Sequence, residues 1–367
     1  MIDSDDAATL EERADRPTLV VAHGFGTGLG IFFRNYEHLA NHSGRRVFGI
    51  DWLGMGLSAR PTHLPWHKQR ETPANAATEE PVHWGTDEGS AAQVRETEEF
   101  FVDSLERWRE AMGISKMVLL GHSFGGYMTA LYALRYPERV EKLILASPMG
   151  VPEIPEGFLP WLDSNPDVNT PLVNDTDVDD ATAESPSPPA KPAGPKPLFG
   201  SRQFMFKLVA YCWRSQSSPQ WFVRNSGPLG SYLVNQYISR YEYLAKPERT
   251  ALSDYLYHLA TRPGSGEYSI TILTHPFVIA RNPLASRLHD LKVPTVFMYG
   301  ETDWMDYRGA EAAAARMRVP TKIVHIGDAG HNLMVENPED FNAFLIQEMK
   351  EGPHLSGQET PTEINGE

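Results

Sequence analysis

The run Met117-Val118-Leu119-Leu120-Gly121-His122-Ser123-Phe124-Gly125-Gly126-Tyr127-Met128 reads as a short strand, one sharp turn and the start of a helix. Met117 to Leu120 are apolar without alternation, the pattern of a parallel strand buried on both faces. Gly121 and Gly125 flank Ser123 at G-x-S-x-G spacing, where a missing Cβ lets strand and helix pass close to a strained residue. Tyr127, Leu131 and Leu134 continue the helix at i, i+4 and i+7. Such a turn holds the serine hydroxyl out at a helix N-terminus, where free N–H groups favour a developing anion.

Outward from this stretch, strand patterns recur at Thr18–Ala22, Arg46–Trp52, Lys142–Ala146, Val293–Gly300 and Lys322–Ile326. Helical patterns alternate with them: Phe32 to Ala40, Ala92 to Met112 with Val94, Phe101, Leu105, Trp108 and Met112 on one stripe, Gly309 to Met317, and a last helix from Pro338. The alternation implies right-handed crossovers in one parallel sheet, an α/β chain. The turn His23-Gly24-Phe25-Gly26-Thr27-Gly28 invites a dinucleotide reading, but G-x-G-x-x-G would need glycine at Leu29 or Ile31. Its alternative use is to supply a backbone N–H from Phe25 that joins the N–H of Phe124 as an oxyanion hole.

Between Pro148 and Lys292 the rhythm stops, and residues 148–292 read as a cap inserted between two core parts, 1–147 and 293–350, with a tail from 351 to 367. Residues 163–197 hold seven acids and two lysines among Pro, Ser and Thr, the composition of a loosely held loop. No acid then appears until Glu242, while Lys191, Lys196, Arg202, Lys207, Arg214, Arg224 and Arg240 interleave with aromatics in a chain of net charge −15. Phe204, Phe206, Lys207, Trp213, Arg214 and Trp221 are therefore expected to face lipid. The net charge disfavours nucleic acid as a partner. The start carries neither a basic nor an apolar leader, and no run of 18 apolar residues occurs, so a soluble or peripheral intracellular protein is expected. The single Cys212 excludes an internal disulfide and suits a filler role.

A serine needs a histidine to take its proton and a carboxylate to fix that histidine's tautomer. Of the 13 histidines, His331 alone follows the last strand through Gly-x-x-Gly. The acid is Asp303, three residues after Gly300, with Asp306 as the alternative. The order serine, acid, histidine, each after a strand C-terminus, is the one that doubly wound hydrolases use. No cofactor or metal is called for.

These residues resemble the α/β-hydrolases, and within them the branch of abhydrolase-domain proteins four and five, plant relatives and the fungal cardiolipin-specific deacylase. The likeness lies in His23-Gly24-Phe25-Gly26, Asp51-Trp52-Leu53-Gly54-Met55-Gly56, the Ser123 turn, Ser265-Gly266-Glu267-Tyr268, Ala280-Arg281-Asn282-Pro283-Leu284 and Gly330-His331. The resemblance implies an α/β-hydrolase fold with a mainly helical cap, and a phospholipase-type serine esterase acting on phospholipids or lysophospholipids, cardiolipin among them, at a membrane surface such as the mitochondrial inner membrane. It also implies two alternatives. One is acyl-CoA-dependent acylation of lysophosphatidic acid, tied to an H-x4-D motif that here reads His331 to Glu336, with Glu in place of Asp. The other is a lipid-droplet or membrane scaffold with idle catalytic residues. Against the family pattern, only sixteen residues precede Pro17, too few for the two strands that open the family's sheet.

Overall fold

The computed structural model describes residues 17–62, 64, 88–159, 209, 212–213, 217–351 and 362–363. In chain order they form β1 (Thr18–Ala22), α1 (Tyr36–His42), β2 (Val47–Ile50), α2 (Glu88–Ala111), β3 (Met117–His122), α3 (Phe124–Arg135) and β4 (Val140–Ala146). Then come α4 (Pro219–Asn225), α5 (Leu229–Ile238), α6 (Lys246–Ala260), α7 (Ser269–Leu273) and the small antiparallel pair β5 (Thr274–His275) and β6 (Ile279–Ala280). The chain closes with β7 (Thr295–Gly300), α8 (Arg308–Ala314), β8 (Thr321–Ile326), α9 (Leu333–Glu336), α10 (Pro338–Lys350) and β9 (Thr362–Glu363).

The main sheet runs β2-β1-β3-β4-β7-β8-β9 with every neighbouring pair parallel. Alternate residues serve two separate cores. Val20, Ala22, Met117 and Leu119 face the side holding Trp52, Phe101, Phe124 and Tyr127, whereas Leu19, Val21, Val118 and Leu120 face Phe32, Leu39, Phe341 and Leu345. Because each face meets a helical layer, both sets must be apolar, which is why these strands show no alternation. Helix α3 lies against the sheet with Phe124 to Ala133 all buried, each large side chain contributing about 1.5–3 kcal/mol.

The segment between β4 and β7 is bound to the core at points that involve the motifs around Gly54, Gly266 and Asn282. Glu98 of α2 accepts from Tyr127 Oη at 2.5 Å, Asn282 Nδ2 at 3.1 Å and Arg287 at 2.9 Å. Gly266 N donates to Gly54 O at 2.9 Å, and Glu267 pairs with Arg224 at 2.6 Å. Farther round, Val234, Ile238, Leu252 and Leu256 of α5 and α6 join the second core. Helix α10 is fastened by Glu348, wholly buried between Lys142 and Lys322 at 2.8 Å each. Removing one member of so enclosed an ion set costs about 3–5 kcal/mol.

Two details depart from expectation. Met112 lies past the end of α2 and is 42 % exposed, because the chain leaves the helix before the apolar stripe reaches it. Trp213 is not lipid-facing: its indole is half-buried against the first core, and its Nε1 donates to Thr274 O at 3.1 Å. An indole N–H that finds a carbonyl partner on burial outweighed the amphipathic count. Neighbouring Cys212 is buried too. Phe204, Phe206, Lys207, Arg214 and the loop 163–197 lie outside the described residues. No helix among the described residues is long and apolar enough to cross a membrane.

Burial pushes the imidazoles of His122 and His275 down to about 3, with His331 adding to the first and Arg281 to the second. An unfolded histidine takes up its proton near pH 6.5, so the unfolded state binds more protons as pH falls. Stability contributed by these neutral rings is therefore present above about pH 6.5 and lost below it. Calorimetry should show a melting temperature that drops between pH 7 and pH 4.5, and His275→Gln should flatten that slope.

Candidate active site

Ser123 begins where β3 ends, with φ 54° and ψ −115°, a conformation costing about 1–3 kcal/mol for a residue with a Cβ. Its backbone is fully engaged: Ser123 N donates to Ala146 O at 3.0 Å, and Ser123 O accepts from Tyr127 N and Met149 N. Gly125 makes the turn possible, since a Cβ there would stand 2.6 Å from the carbonyl oxygens of Ala22 and His23. The hydroxyl that results is held by rigid elements on each side.

Ser123 Oγ lies 3.1 Å from His331 Nε2, and His331 Nδ1 lies 3.1 Å from Asp303 Oδ1. The carboxylate fixes the proton on Nδ1 and leaves Nε2 to accept from the serine. Asp303 also accepts from Met305 N at 3.0 Å. Burial alone would raise its carboxyl, but the hydrogen bond and charge of His331, together with that N–H, hold it below the usual carboxylate range. Asp306 is turned elsewhere: it grips Arg308 at 2.9 Å and accepts from Arg308 N at the start of α8. Of the two candidate acids, the structure brings Asp303 to the histidine.

The turn after β1 closes the other side. A Cβ on Gly24 would lie 2.8 Å from His122 Nδ1 and 3.1 Å from Ser123 Cβ, so this backbone passes directly against the serine. The side chains of Phe25 and Phe124 meet across the two turns with ring centroids 6.5 Å apart. His23 is wholly buried and structural in its contacts: Nδ1 donates to Gly24 O at 2.7 Å, and Nε2 accepts from Trp52 N at 3.3 Å. Burial lowers its pKa, so it stays neutral. Asp51 accepts from Leu29 N at 2.6 Å and Leu57 N at 2.8 Å, tying the turn after β1 to the loop after β2.

Several neighbours escaped the sequence reading. Trp304, 59 % exposed, lies over His331 with ring centroids 4.9 Å apart. His122 lies on another side of the same ring at 4.8 Å. Asn332 Nδ2 donates to Tyr241 Oη at 2.7 Å, and Tyr255 Oη accepts from Gly30 N at 3.0 Å, so the insertion touches both catalytic-side turns. Only Trp304 carried a signal, as an aromatic next to the chosen acid. Glu336 is engaged by the backbone on either side of His331. A cavity of about 830 Å³ between the β2 loop and α2, lined by Asp51, Trp52, Phe100 and Trp108, includes none of these three central residues. Among the described residues no three His, Cys, Asp or Glu side chains gather as a metal-binding group.

Comparison with known proteins places these features in context. Residues 17–191 match the family model of the alpha/beta hydrolase fold. Over 96 % of this chain and 71 % of the relative, it is 33 % identical to a probable 1-acylglycerol-3-phosphate O-acyltransferase of Oryza sativa subsp. japonica. A (lyso)-N-acylphosphatidylethanolamine lipase of Homo sapiens is 30 % identical over 91 % of this chain and 79 % of the relative. The solved esterase of Thermogutta terrifontis superposes with a TM-score of 0.54 at 17 % identity, covering 92 % of this chain and 90 % of the other, a likeness of fold.

Labelling by a fluorophosphonate reads the nucleophile directly. Asp303→Asn should slow labelling by about 10²–10⁴-fold through loss of the correct tautomer, and Asp306→Asn by less than about threefold.

Proposed function

The chain belongs to the α/β-hydrolase family, in its abhydrolase-domain branch, and from that premise we propose that it is a serine hydrolase of acyl esters in glycerophospholipids or lysophospholipids. The observation that carries the reading is the continuous relay Ser123–His331–Asp303, with both links at 3.1 Å. His331 Nε2 takes the Ser123 proton as Oγ attacks the acyl carbonyl. The tetrahedral oxyanion is received by the N–H groups of Phe25 and Phe124, donors from the turn after β1 and from the start of α3. The imidazolium, stabilised by Asp303, then gives its proton to the departing alcohol and leaves an acyl-serine. Water, deprotonated by the same ring, releases the fatty acid.

Two named relatives support a lipid substrate, since both names join an acyl group to a glycerol that carries phosphate. Transfer of the acyl group to 1-acylglycerol 3-phosphate instead of water is the second reading, favoured by the rice relative's name. Cardiolipin is one member of the same substrate class.

The outer face of the insertion supports approach to a lipid surface. Helix α5 turns Gly230, Val234 and Ile238 inward, while Leu229, Tyr232, Leu233 and Tyr237 form an exposed stripe at i, i+3, i+4 and i+8. Arg240 lies 4.2 Å over the Tyr237 ring, and Trp221 is 36 % exposed nearby in sequence. Aromatic side chains beside a cation suit the headgroup region of an anionic bilayer.

Mass spectrometry of fatty acid released from mixed phosphatidylcholine, phosphatidylglycerol and cardiolipin vesicles, and from lysophospholipid, tests the proposal. Wild type should release fatty acid and Ser123→Ala should lose at least about 10³-fold; equal release by both overturns it. With the pair Leu229→Asp and Leu233→Asp, vesicle hydrolysis should fall about tenfold while a soluble ester is cleaved at the wild-type rate.

A further inference from the structure

Three hydrogen bonds hold the main chain around His331, and none of them uses a group that reacts. Glu336 stands five residues further on, at the end of α9. Its Oε2 accepts from Gly330 N at 2.6 Å and its Oε1 from Asn332 N at 3.0 Å, so a single carboxylate grips the N–H before and the N–H after the histidine. From the Ser123 side, His122 Nε2 donates to His331 O at 2.8 Å. The other nitrogen of that ring, Nδ1, is buried with no hydrogen-bond partner among the described residues, so the one proton of the neutral ring sits on Nε2.

We infer that Glu336 is a positioning residue, which together with His122 clamps the His331 backbone so that the ring meets Ser123 on one side and Asp303 on the other. The inference rests on the reading of Ser123 as nucleophile. Asp303 sets the rotation of the ring, but where the ring begins is set by its backbone, which leaves a strand and enters a four-residue helix through Asn332, φ −100° and ψ 58°. A displacement of about 1 Å there is enough to cost about 10²-fold in rate. A carboxylate suits the task because both partners are N–H donors and both of its oxygens accept; an amide offers one acceptor and turns its NH₂ against the other N–H. With both oxygens committed to the loop, Glu336 serves every reaction of Ser123 alike, and the His331-to-Glu336 spacing is a geometric device instead of a marker of acyl transfer.

The test compares wild type, Glu336→Gln, Glu336→Ala, Glu336→Asp and Ser123→Ala on p-nitrophenyl butyrate, on fluorophosphonate labelling and on acyl transfer from acyl-CoA to 1-acylglycerol 3-phosphate. Melting temperature identifies the variants that remain folded, and the isosteric Glu336→Gln carries the test if Glu336→Ala unfolds. In Glu336→Gln, kcat and labelling rate should fall together by about 30–300-fold with KM within about threefold of wild type, and Glu336→Asp should recover part of the loss. Transfer, if wild type performs it, should fall by the same factor. Folded Glu336→Gln with wild-type hydrolysis and labelling overturns the inference, as does loss of transfer alone. Hydrolysis or labelling that survives in Ser123→Ala instead overturns the nucleophile assignment, whatever Glu336 does.

Discussion

The strained backbone at Ser123 is the constraint on which the rest of the molecule depends. A residue with a Cβ is held at positive φ, and nothing local favours it. What holds it is the surrounding fold: a strand paired on both edges, a helix buried over ten residues, and two carbonyls close enough to Gly125 to exclude any side chain. The strain is thus maintained by the large apolar burial of the same elements. In return the hydroxyl is presented without a flexible loop beneath it, so its partners have a fixed point to meet.

Those partners arrive from separate strand ends, and each is stabilised by contacts that avoid the reacting atoms. Asp303 is oriented by Met305 N, and the turn after β1 is shaped by His23 and Asp51. The imidazoles at His23 and His122 are buried and neutral, and His331 is the ring placed between Ser123 and Asp303. Tyr241 accepts from Asn332 and Tyr255 from Gly30 N, so the segment expected to meet lipid is in direct contact with the loops beside His331 and after β1.

Much of this was legible in the residues. Core strands announced themselves because both faces are covered, and the histidine was identifiable from its place after the last strand. Its place three residues after Gly300 favoured Asp303 over Asp306, and the coordinates add the reason: one carboxylate turns to His331 and the other pairs with Arg308. Trp213 misled for a related reason: counting apolar positions on a helix cannot see that the Thr274 carbonyl lies within reach of the indole N–H. Asp51 and Glu336 stood out within motifs, but their contacts, like those of Glu98, did not, because a carboxylate that organises backbone or side chains from distant segments leaves no periodic trace. The motifs Ser265-Gly266-Glu267-Tyr268 and Ala280 to Leu284 stood out in the sequence, but only the structure relates them to fastening the insertion through Gly54, Arg224 and Glu98.

The indole of Trp304 gives the molecule an optical property. It lies open to solvent on one side and within 4.9 Å of the His331 ring on the other. An imidazolium quenches indole emission more strongly than a neutral imidazole. Emission from this one of the chain's eight tryptophans is therefore coupled to the charge of the histidine beside it.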